Sequence, residues 1–188
     1  MGTKTAAAAI VAAVLCNASE LTVRYYNEAK LSASALASAV ETANRAMRTA
    51  EIWVRWIDCY RDPESCKGAT GTAFDLTISG ASAAREKKLV SFEMGYSLLP
   101  ENGTGVYAKV LLSRVARYAD TFDIPVTAVL GHVMAHEIGH LLLNTGEHSH
   151  AGIMKAVWTG SENRLLAGGR LGFHGREAAI MRRNLARR

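Results

Sequence analysis

The sequence predicts an α+β domain in which a mixed, twisted sheet is backed by helices. Three observations lead there. Alternating and helical apolar patterns follow one another as strand, helix, strands, long helix, loop and helix. An apolar stretch after Pro125 is too long for a strand and reads as a helix running about to Leu143. The 188 residues are 49% hydrophobic and 21% charged, an ordinary globular balance large enough for one core.

Leu21 to Asn27 alternates as a strand does. Leu36, Val40, Ala43 and Met47 then recur at helical spacing, with Ser32 or Ser34 as the N-cap. In EIWVRWIDC both faces carry bulky apolar groups, which predicts a central strand. AFDLTIS is a further strand, KLVSFEMGYSLL a strand running into a loop, and PENGTG a turn. GVYAKVL is read as a short strand at a sheet edge that could pair with an extended peptide. SRVARYAD is a helical turn or two. Pro125 opens the long helix where a missing N–H costs nothing, and GREAAIMRRNLARR is a final helix.

The first residues have the form of a secretory signal: Lys4, ten apolar residues from Ala6 to Leu15, then small residues with a cleavage site after Ala18. Residues 1–18 are therefore expected to be a leader and 19–188 the catalytic domain, secreted or periplasmic. Ten residues are too few to span a bilayer, which takes about 20. The alternative is an alanine-rich first helix of the fold. Cys16 leaves with the leader, and Cys59 and Cys66 in CYRDPESC can then close a local disulfide. The net charge of +5 loses one unit with Lys4. Much of the excess lies in a basic final helix without interleaved aromatics, so neither a nucleic-acid partner nor a membrane is expected, and the chain is expected to act as a monomer.

Five of the six histidines fall between His132 and His150. His136, Glu137 and His140 form HExxH, which random placement would produce in roughly one such chain in a hundred. On a helix the two histidines share a face and can reach one ion. Glu137 is turned aside, placed to miss the ion and act on a water beside it. His132 lies eight residues before His140, about 12 Å along the axis, so it cannot join both other histidines on one ion. The third ligand comes from beyond the helix, from His148 or His150. Asn144-Thr145-Gly146 reverses the chain to bring it back.

HExxH, a helix-breaking turn, a further histidine and then GIM resemble the metzincin clan of zinc endopeptidases. The clan's third histidine follows the second by six residues with a glycine midway. Here His148 follows His140 by eight, Leu143 stands at the glycine, and Asn144 takes the turning role. No tyrosine follows Met154 closely. LTVRYYN, IWVRWIDC, HVMAHEIGHLLL and HSHAGIM are also similar to a group of exported bacterial proteins with no assigned substrate, in which the residue matching His148 recurs. These resemblances imply a metzincin-like zincin fold, Zn²⁺ held by His136, His140 and His148, Glu137 as general base, and Met154 as an apolar floor under the metal. They leave His150 as an alternative ligand or a donor nearby. The function they imply is a secreted zinc metalloendopeptidase acting on peptides or proteins. The alternatives are a non-catalytic zinc-binding exported protein and, less favoured, a zinc-dependent ribonuclease.

Overall fold

The computed structural model describes residues 20–69, 71–80, 93–101 and 104–188. The expected leader lies outside the described residues, as do Lys88 to Phe92 and the Asn102-Gly103 turn. The elements run β1 (Glu20–Asn27), α1 (Ala33–Arg48), β2 (Trp53–Asp58), α2 (Pro63–Lys67), β3 (Ala73–Ser79), β4 (Gly95–Leu98), β5 (Tyr107–Leu111), α3 (Leu112–Phe122), α4 (Val126–Leu143), α5 (Gly160–Ala167) and α6 (Gly175–Leu185).

The strands form one five-stranded sheet in the order β2-β1-β3-β5-β4. β1 pairs in parallel with both β2 and β3, and β3 with β5, while β4 runs antiparallel to β5. This is the mixed sheet the sequence predicts. Alternate side chains of the strands, among them Leu21, Val23, Phe74, Leu76, Ile78, Ala108 and Val110, join residues of α1 and α4 in one apolar core. The other face is polar, and on it Arg24 pairs with Asp75 at 2.6 Å.

β2 is an edge strand, not the central strand expected from its sequence. Its two apolar faces have separate uses. Val54 and Trp56 pack on the main core, and Trp56 donates its indole N–H to Asn44 Oδ1 of α1 at 2.8 Å. On the other face Ile57 is buried with Cys59 and Cys66 in a small cluster, while Trp53 stays half exposed. Cys59 and Cys66 are bonded as a disulfide. After Cys59 the chain winds into α2, which is capped by Asp62, opened by Pro63 and carries Cys66.

GVYAKVL is likewise not at an edge. β5 is paired on both sides, and β4 takes the outer position because it folds back antiparallel on β5. SRVARYAD extends into the full helix α3, and α5 was not anticipated. Its start was legible in Thr159 and Glu162, whose carboxylate accepts the Thr159 N–H at 3.3 Å.

Candidate metal centre and cleft

α4 carries the site. Pro125 stands at its N-cap and Asn144 ends it with φ 55° and ψ 42°, the left-handed reversal expected from Asn144-Thr145-Gly146. The carbonyls left over at its end are taken up by distant groups: Arg188 donates to Leu141 O at 2.7 Å and Asn184 to Leu142 O at 2.9 Å.

His136 and His140 project from the same face, their Nε2 atoms 3.0 Å apart. Each Nδ1 meets a main-chain carbonyl, Ile153 O for His136 at 2.7 Å and Thr145 O for His140 at 2.8 Å. A carbonyl only accepts, so the ring proton sits on Nδ1 and each Nε2 presents a lone pair. Burial, followed by the neighbouring His140, holds His136 down to about 3. Burial likewise holds His140 at about 4. Two lone pairs that resist protonation face each other across a gap, an arrangement a cation relieves.

The returning loop brings in the third group. The His148 ring lies 5.3 Å from that of His136 and 4.8 Å from that of His140, centre to centre. One ligand atom from each of the three histidines falls within 4.8 Å of the others, so the three could hold a metal ion. The loop is pinned by Ser149 N–H donating to Met154 O at 2.8 Å. His150 is exposed and lies outside this group.

Met154 is fully buried beneath α4. A Cβ at Gly139 would fall 2.6 Å from its sulfur and 2.8 Å from Phe173, so a larger residue there would push these side chains aside. Trp158 donates its indole N–H to Ile153 O at 3.0 Å, the same carbonyl that anchors His136. His132, one turn earlier, is fully buried with Nδ1 2.8 Å from Ala128 O and its ring against Trp158.

Glu137 is buried beside the histidines and is met from the sheet. The Ser97 hydroxyl of β4 donates to Glu137 Oε2 at 2.8 Å and lies 2.9 Å from the Glu137 carbonyl oxygen. Burial pushes the Glu137 carboxyl up to about 8; the Ser97 bond acts against this and the Glu93 charge adds to it. Glu137 and the three histidines open onto a narrow cleft of about 80 Å³, walled also by Glu93, Met94, Gly95, Val133, Lys155 and Trp158. A larger hollow of about 630 Å³, beside Lys30, Leu31, Tyr60 and Arg61, contains no histidine.

Ser97 and Trp158 carry no sequence motif and reach the helix through folding alone, Ser97 from 40 residues away.

No protein-family model matches the chain, and no curated protein matches it in sequence. Among solved structures, the crystal structure of archaemetzincin from Methanopyrus kandleri superposes with a TM-score of 0.53. The match covers 92% of this chain and 99% of that one, at 16% sequence identity. The fold matches that of archaemetzincin. The sheet and helices described above are thus those of an archaemetzincin-like domain, as the resemblance to the metzincin clan implied for the fold.

Proposed function

We propose that the protein is a secreted, zinc-dependent metalloendopeptidase, with His136, His140 and His148 as metal ligands and Glu137 as general base. The observation that carries this reading is the meeting of three imidazoles around one point, with a carboxyl group from the same helix facing the same cleft.

The donor set suits zinc. Neutral imidazoles are good zinc ligands, and at bond lengths of 2.0–2.1 Å two of them in a tetrahedron stand about 3.3 Å apart, close to the 3.0 Å between His136 and His140. The carbonyls of Ile153 and Thr145 fix each ring's tautomer and make it a stronger donor. Three protein ligands leave one position open, as in catalytic rather than structural sites.

When bound, zinc supplies Lewis acidity that polarises the scissile carbonyl and makes water a nucleophile at neutral pH. Glu137 takes the proton of the attacking water on its carboxylate and then passes it to the leaving amine. Its high resting pKa reflects the site without positive charge, and a nearby cation favours the ionised form this role requires. β4 replaces GVYAKVL as the strand offered to an extended peptide, because β4 is the edge and its Gly95 borders the cleft.

The test is metal content and cleavage of a peptide library by wild type and Glu137→Gln. Wild type should bind one zinc and cleave, and lose both on chelation. Glu137→Gln should keep the metal and lose about 10²–10⁴-fold in kcat. Full activity in that variant removes Glu137 as the base. Zinc binding by wild type without cleavage of any peptide removes the peptidase.

A further inference from the structure

We propose that Ser97 is the positioning residue for the general base: its hydroxyl holds the Glu137 carboxyl group at one rotamer against the edge strand. This rests on the metallopeptidase reading and adds to it a residue outside the HExxH helix.

The geometry ties Ser97 to two parts of one residue. Its oxygen is 2.9 Å from the main-chain carbonyl of Glu137 and 2.8 Å from Oε2 at the far end of the same side chain. The single hydroxyl proton is shared between these two acceptors, which ties the carboxyl oxygen to the carbonyl of its own residue through one group. A glutamate has three rotatable bonds, and catalytic geometry tolerates errors of only about 0.5 Å, so a free side chain would be poorly placed most of the time.

Gly95 closes the other side. It lies two residues before Ser97 and so faces the same way along the strand. A Cβ there would fall 2.7 Å from Glu137 Oε1 and 2.9 Å from its Cγ. The carboxyl group thus holds a hydroxyl on one oxygen and fills, with the other, the space that a side chain at position 95 would take. Gly95 lines the cleft, whereas Ser97 is not among the groups that line it. Both hydroxyl contacts tie Ser97 to Glu137, so its role runs through that residue. β4 is the outermost strand of the sheet among the described residues, so the strand that would receive a peptide also sets the base that would activate the attacking water.

The experiment uses the zinc-loaded protein with Ser97→Ala and Ser97→Thr, the second retaining the hydroxyl. Zinc stoichiometry should stay at one in both. Ser97→Ala should lose about tenfold in kcat, the scale seen when a group supporting a catalytic residue is removed, with KM unchanged; Ser97→Thr should recover most of it. A second readout needs no turnover. Acetohydroxamate chelates zinc and gives a proton to a correctly placed carboxylate, so by calorimetry its affinity should fall in Ser97→Ala and return in Ser97→Thr.

Unchanged kcat and unchanged acetohydroxamate affinity in Ser97→Ala overturn the proposal. So does an equal loss in both variants, which would mark Ser97 as mere packing. If wild type cleaves no peptide, the peptidase reading fails by itself, and the acetohydroxamate comparison still decides whether Ser97 places Glu137.

Discussion

Helix α1 starts on a serine hydroxyl, with Ser32 Oγ accepting the Ala35 N–H at 3.2 Å. It buries one stripe (Leu36, Ala39, Ala43 and Met47) and dresses the other with Glu41, which pairs with Arg48 at 2.9 Å and Arg45 at 3.6 Å. Helix α4, packed against it, has no side-chain cap at Pro125, and every residue from Val129 to Leu142 is buried. Its length and hydropathy would let it cross a membrane, yet 78% of that span is covered by the protein itself. The two lie so close that a Cβ at Gly131 would fall 2.4 Å from the Ala39 carbonyl. The contrast teaches where stability comes from. Caps, pairs and one apolar stripe support α1 locally. α4 is supported from all sides, so the polar groups that face its cleft need partners from beyond the helix. Those partners (Ile153, Thr145, Ser97) are what make its histidines and glutamate a site.

The sharpest way to break this contrast is to remove a metal-facing group from α4. His140→Ala should weaken zinc binding by about 10³-fold or more, since three ligands become two, measured by competition with a chelating dye. Retained affinity would mean that the cluster is not the metal centre.

Next comes pH, read on metal-free protein. His136 and His140 are held at about 3 and about 4 against an ordinary 6.5. Below 6.5 the unfolded chain therefore binds protons that the folded one refuses, and stability falls as pH drops. Glu137 works in reverse: held at about 8 against 4.5, it keeps a proton that the unfolded chain has lost, so its contribution is lost as pH rises from 4.5 to 8. Between 4.5 and 6.5 the two histidines, joined by His132 and His148 that burial also holds down, outweigh the one glutamate, and from 6.5 to 8 the glutamate acts. The metal-free protein should be most stable near pH 6.5 and lose stability towards pH 4.5, by about 1.4 kcal/mol per net proton per pH unit. Urea titrations at pH 4.5, 6.5 and 8 check this, and a profile without a maximum contradicts the burial of these groups.

Gly131→Ala drives a methyl group into the Ala39 carbonyl and should cost about 1–3 kcal/mol of stability, seen as a lower denaturation midpoint. No loss would show that the α1–α4 contact is looser than described. Ser32→Ala on α1 should cost only about 1 kcal/mol and leave zinc affinity unchanged. A change in zinc affinity would show that the two helices do not divide their roles as stated.

The elements most legible in the sequence were those with local causes. Ser32, one of the two serines read as the cap of α1, Pro125 at the start of α4 and Asn144 at its end stand where the sequence put them. So does the Cys59–Cys66 bond, a closure over a sequence separation of 7. His136 and His140 could be placed on one face because helical spacing alone decides it. The errors concerned neighbours. β2 and GVYAKVL were recognised as strands, but which lay at an edge depended on sheet order. Strand sequence reports burial and not sheet position when a disulfide corner covers one face of an edge strand.

By itself the sequence determined the α+β class, the long buried helix, and the pair of imidazoles flanking a glutamate, because periodicity and capping act within a few residues. Tertiary structure decided that the His148 ring, which the family resemblance favoured over His150, meets that pair, that Ile153 sets the His136 tautomer, and that Ser97 grips Glu137. Those contacts depend on how far a loop returns and which strand ends up outermost. Such outcomes follow from packing the whole chain around one core, and no local stretch of residues encodes them.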